Sequence, residues 1–167
     1  MLSAQTGKTI ETYLNTVLAG ATVKWPNVDT ADPEDALVYE PHIVEGETIL
    51  IGFGRPAKFR MIGQLVVKIM APRNIGMATI DTATDLLFSA FALRILNMNV
   101  TPGATDGGAI QKEDDGQQNR LDTITQGDVK FQEPTVTTPG RVAHSKFQKN
   151  FVCVFWSEAT VAVSQSS

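Results

Sequence analysis

The stretch TILIGFGRPAKFRMIGQLVVKIM, residues 48–70, decides the reading of this chain. Thr48 to Phe53 is rich in β-formers, Gly52-Phe53-Gly54-Arg55-Pro56 is turn chemistry, and Phe59 to Met70 resumes as a longer apolar strand. Two such runs across a Gly/Pro turn predict a hairpin or meander. Ile62, Leu65, Val66, Val67 and Ile69 follow one another too closely for strict alternation, which predicts burial on both faces over part of the second strand.

Upstream, Ala36 to Val44 is a further strand candidate, with Pro41 expected at an edge or bulge. Residues 6–19 predict an amphipathic helix. Ile10, Tyr13, Leu14, Val17 and Leu18 make one stripe, Thr6 or Gly7 can start it, and Gly20 ends it. Pro26 biases Trp25 toward extended backbone.

Downstream of the hairpin, a helix is expected near Gly76 to Leu96. Its stripe is Ala83, Leu86, Leu87, Ala90, Phe91 and Ile95, widened by Phe88 and Leu93. Asp81 and Asp85 lie in its first half and Arg94 in its last turn, the arrangement the helix dipole favours. Asn99 to Thr101 is a short strand candidate. Pro102 to Arg120 has no periodicity, so residues 101–120 are expected to form an extended arm that orders on a partner. Leu121–Thr125 and Gly127–Phe131 are β-like, Val136 to Val142 is expected to bend the chain back, and Phe147 to Trp156 is the last strand. These elements predict a single α+β domain over residues 1–160, a mixed and mostly antiparallel sheet with two main helices packed on it. Residues 161–167 are expected to be a polar tail.

The chain has 167 residues, 43% of them hydrophobic and 19% charged, a balance that excludes a fully disordered protein. With a net charge of −4 it has no global reason to coat nucleic acid or an anionic membrane. The N-terminus has no secretory-signal pattern and no apolar run spans a bilayer, so no membrane association is expected. Cys153 is the only cysteine, which removes any disulfide framework, and His42 and His144 are the only histidines.

No catalytic template fits. Cys153 lies within an apolar strand, where a thiol behaves as a small hydrophobe, and neither histidine has a partner at helix or hairpin spacing. Gly52-Phe53-Gly54 lacks the spacing of a phosphate loop. Asp106, Asp114 and Asp115 lack the closing acid of a calcium loop. The expectation is a non-enzyme without cofactor or metal.

The charge is distributed in blocks. Residues 1–50 hold eight acids against two bases, and residues 51–100 hold six bases against two acids. Alternating blocks suit a surface whose one side docks on the opposite side of a copy of itself, the head-to-tail contact that closes rings or grows filaments. Candidate interface residues are therefore Arg55, Lys58 and Arg60, Asp32, Glu34 and Asp35, and Lys112, Glu113, Asp114 and Asp115 in the arm.

The order of these features resembles the tail terminator (tail completion) proteins of long-tailed bacteriophages. The resemblance is carried by the helix ending at Leu18-Ala19-Gly20, then Val23-Lys24-Trp25-Pro26-Asn27 and the Val38-Tyr39 strand. It continues through Arg60-Met61-Ile62-Gly63-Gln64-Leu65-Val66-Val67, the break from Ala71-Pro72 to Gly76, and the helix holding Ala83, Leu86 and Phe88. It covers roughly residues 6–158. It implies a structural virion protein of the tail and neck, assembled in the bacterial cytoplasm as a six-subunit ring. Such a ring caps the tail tube, ends its polymerisation and presents a surface for head joining. The implied partners are the tube protein, head–tail connector or neck proteins, and the sheath if the tail is contractile. Genome DNA passes through the lumen without specific binding. The alternative is another neck or tube component, a connector stopper or tail tube protein.

Overall fold

A computed structural model describes residues 2–29, 36–54, 57–72, 75–98, 121–143 and 146–163. The proposed arm at 101–120 lies outside these residues. So do Asp32, Glu34, Asp35, Arg55, Lys112, Glu113, Asp114, Asp115 and His144.

The elements in order are α1 (Leu2–Val17), β1 (Thr22–Val23), β2 (Val38–Gly52), β3 (Ala57–Pro72) and α2 (Met77–Phe91). After them come β4 (Ile95–Asn97), β5 (Leu121–Phe131), β6 (Thr135–Ala143) and β7 (Lys146–Val163). Among the described residues the seven strands form one sheet in the order β1-β2-β3-β7-β5-β4. β6 pairs with the first half of β7, while β5 pairs with the second half. Among the described residues only β1–β2 is parallel, so the sheet is mixed and mostly antiparallel, and the class is α+β.

Helix α1 begins at Leu2, earlier than expected, because its buried stripe contains polar members. Gln5 and Thr6 are buried between Leu2 and Ile10, and the Thr6 hydroxyl bonds the buried Ser157 hydroxyl at 2.6 Å. Hydrophobic periodicity cannot register such a turn. The helix ends at Val17, and Gly20 in the turn after it takes φ of +81°, the left-handed conformation that glycine adopts without steric cost.

The two strands expected at 36–44 and 48–53 are one, β2, kinked by a register shift between Glu45 and Thr48. Gly46 in that kink lies so close to the Ile62 carbonyl that a Cβ would collide with it. Pro41 is tolerated because β1 covers only Val38 and Tyr39 on the outer side of β2. The hairpin into β3 forms as expected.

Burial on both faces of β3 is not found. Met61, Gly63, Leu65, Val67, Ile69 and Ala71 are buried, whereas Ile62 is 53% exposed. The reason is tertiary: among the described residues, α1 and α2 join the core on one face only.

Helix α2 ends at Phe91, five residues before the expected end. Leu93 turns the chain with a positive φ of 53°, and β4 starts at Ile95. Its buried stripe is Ile80, Ala83, Thr84, Leu87, Ala90 and Phe91, so the expected stripe members Leu86, Phe88, Leu93 and Ile95 are exposed. Arg94 still caps the end, its Nε donating to the Ala90 carbonyl at 3.1 Å.

The bend expected at 136–142 is strand β6, irregular where Thr138-Pro139 interrupts its pairing. Strand β7 runs on to Val163, so 161–163 belong to the sheet, not to a tail. Ser157 and Ala159 hide this extension from hydropathy. Both are buried, Ser157 because Thr6 satisfies it.

Aromatic contacts tie the core together, Tyr13–Phe91 and Phe91–Phe131 edge-on and the other two tilted. Phe91 stands against Tyr13 (centroids 5.3 Å), Phe131 (5.0 Å) and Phe151 (5.9 Å), and Phe131 meets Phe155 at 5.7 Å. Each such pair adds about 0.5–1.5 kcal/mol beyond area burial.

Candidate functional site: the uncovered face of the sheet

Strand alternation sends the odd-numbered residues of β3 and β7 into the core and the even-numbered ones to the opposite face. Register then assembles that opposite face row by row. One row is Ile62, Trp156, Lys130 and Ile95, the next Val44, Gln64 and Val154, and the next His42, Val66 and Val152. Val44 is 53% exposed, Ile62 likewise, and Ile95 at the far end of the first row is 56% exposed. Apolar side chains therefore run along this face, interrupted by Gln64, Lys130 and His42, and among the described residues no helix covers them.

Each side of these rows carries charge. On one side, Arg60 and Glu158 are register partners, and Arg60 clasps Glu158 with both Nε (2.8 Å) and Nη2 on the same oxygen. The other oxygen of Glu158 faces Lys130 Nζ at 3.6 Å and Lys58 Nζ at 3.8 Å. The Glu158 side chain is 12% exposed. Burial pushes its pKa up, but the hydrogen bond and charge of Arg60, with the charges of Lys130 and Lys58, outweigh that. The carboxyl is held below its ordinary value. An open depression of about 210 Å³ lies here, lined by Lys58, Asp128, Lys130, Glu158 and Thr160. On the other side, Glu40 accepts from His42 Nε2 at 2.9 Å and faces Lys68 Nζ at 3.8 Å.

Of the expected interface residues, the structure brings Lys58 and Arg60 together on this face. Their partner is Glu158 of the same chain, 98 residues from Arg60. Sequence reasoning missed Glu158 and Lys130. Alternation along β7 would put Trp156, Glu158 and Thr160 on one side, but only register sets Glu158 opposite Arg60.

The β2–β3 hairpin end carries a second exposed apolar group. Ile49 and Leu50 are exposed on opposite sides of β2, and Phe53 at the tip is 96% exposed.

Cys153 is buried in β7, its thiol pushed up to about 11 by desolvation, against a lowering contact to the Gln132 carbonyl. It is mostly thiol at neutral pH. Among the described residues no group of three or more His, Cys, Asp or Glu side chains is placed to hold a metal ion. No helix among them is long and apolar enough to cross a membrane.

No family model matches the chain, and no curated protein matches it. Among solved structures, one similar chain is 12% identical, with 99% of this chain and 94% of that chain covered at a TM-score of 0.49.

Proposed function

We propose that this chain is a structural virion protein of a long-tailed bacteriophage, a tail terminator. It caps the tail tube as a ring of copies, ends tube polymerisation and offers a surface for head or neck joining. The observation that carries the reading is the sheet face that no helix among the described residues covers, where Val44, Ile62 and Ile95 are exposed alongside two charge clusters. Exposed aliphatic side chains set among and beside ion pairs are the mixed apolar and polar composition of a protein–protein surface. The exposed Phe53 at the hairpin tip supplies an aromatic anchor of the kind that dominates interface energies. The order of sequence features quoted above supplies the tail assignment.

Two measurements test it. Sedimentation of the purified chain should give a closed oligomer near six times the 18.1 kDa monomer, alone or on addition of tube protein. Added to polymerising tail tube protein, the chain should stop elongation at substoichiometric amounts. A tube protein would join the polymer instead, and a connector stopper would leave tube length unchanged. Either result refutes the terminator reading.

A further inference from the structure

The two borders of the sheet carry more information than its face. On the outer side of β2, β1 pairs only Val38 and Tyr39, so among the described residues the edge from Glu40 to Gly52 has no strand partner. On the outer side of β5, β4 pairs only Asp128 to Lys130, and Met98 N–H bonds the Gly127 carbonyl. That leaves residues 121–126 of β5 without an outer strand partner among the described residues.

Natural edge strands are guarded by charges, proline or bulges. The first part of the β2 edge is so guarded, by Glu40, Pro41 and His42 and by the kink at Gly46-Glu47. The second part, Thr48-Ile49-Leu50-Ile51, holds no charge and no proline and keeps a single register shift, between Leu50 and Gly52, with Ile49 and Leu50 exposed; residues 121–126 carry Asp122 and two register shifts of their own. The Thr48–Ile51 stretch has the composition of a strand that expects a neighbour.

Strand direction identifies the neighbour. β2 is antiparallel to β3, β3 to β7 and β7 to β5, so β2 and β5 run in opposite senses. A second copy set beside the first in the same orientation therefore offers its β5 edge antiparallel to β2. Level matters too. Gly52 lies in line with Gln126 through Lys58 and Thr160, so the two free stretches overlap only after a shift along the strands. Sheets that close on themselves need such a stagger, because their strands tilt to the axis.

We propose that Thr48–Gly52 of one copy pairs antiparallel with residues 121–126 of the next, so that one sheet runs from subunit to subunit. The contact uses different surfaces on each copy, so it is heterologous and able to close into a ring. The proposal rests on the self-assembling reading above, and it names the surface.

Cysteine pairing tests it. Leu50→Cys is combined in turn with Thr123→Cys, Ile124→Cys and Thr125→Cys in the full chain under mild oxidation. Cross-strand neighbours have Cβ atoms about 4.5–5.5 Å apart, within disulfide reach after small adjustment. The expected result is a reducible ladder of linked subunits in at least one pair and none in the single-cysteine controls; buried Cys153 stays unlinked. Separately, Ile49→Lys with Leu50→Lys should reduce the sedimenting species to monomer with unchanged circular dichroism. If that variant misfolds, the cross-links decide. A closed oligomer that links in none of the pairs overturns the edge pairing and leaves the tail reading standing. Cross-linking without tube termination does the reverse. A chain that stays monomeric even with tube protein overturns both.

Discussion

Replacing Glu158 by Gln isolates the charge in the Arg60–Glu158–Lys130–Lys58 cluster. The amide keeps the shape and one acceptor oxygen for Arg60, exchanges the other oxygen for an NH2, and removes the counter-charge shared by three cations, with Asp128 left in the same depression. Hydrogen bonds to a charged group contribute about 1.5–3 kcal/mol. Arg60 is 42% exposed and the two lysine contacts exceed hydrogen-bond length, so solvent screening lowers the expected loss to about 1–2 kcal/mol. For a chain of this size that is a fall in Tm of roughly 2–8 °C at pH 7. The pH dependence is the sharper readout. The folded-state pKa of Glu158 lies below its ordinary value of 4.5, so the wild-type advantage is fully present above that value. It is lost as pH falls through the lower folded value. Urea unfolding of both proteins from pH 7 to pH 3 should show two curves that converge at the acid end. A constant gap across that range would mean that packing, not charge, separates the variants. A gap that ignores 1 M salt would point the same way.

Three further outcomes follow from the packing. Gly63→Ala places a Cβ 2.5 Å from the Phe155 ring and 2.8 Å from the Val44 carbonyl, so it should cost about 1–3 kcal/mol by chemical denaturation. Thr6→Val removes the hydroxyl that satisfies buried Ser157 and should cost about 1–3 kcal/mol. Adding Ser157→Ala should recover much of that loss in a double-mutant cycle, and purely additive losses would contradict the pairing. Cys153 should resist a thiol reagent at pH 8 and react only on unfolding, since its folded pKa is about 11 and it is buried; rapid labelling of native protein would refute that burial.

Local patterns decided much of the architecture. The β-rich runs on either side of Gly52–Pro56 dictated a hairpin, because turn chemistry acts within a few residues. The Ile10–Leu14–Leu18 stripe dictated α1, and Gly20 its end. Readings failed where a polar residue was buried by a distant partner. Thr6 reads only as a helix start and Ser157 falls just past the last expected strand, yet both are buried and bonded to each other, 151 residues apart. Readings also failed where apolar residues had nothing to cover them, as at Ile62, Leu86 and Ile95.

Hydrophobic spacing and turn residues, which depend only on near neighbours along the chain, therefore determined the helices, the hairpin and the α+β class. Tertiary structure alone decided that Arg60 meets Glu158 and that, among the described residues, α1 and α2 pack on one sheet face and the outer borders of β2 and β5 have no further strand partner. Each of those depends on strand register or on which elements pack across the sheet, relations between residues tens of positions apart.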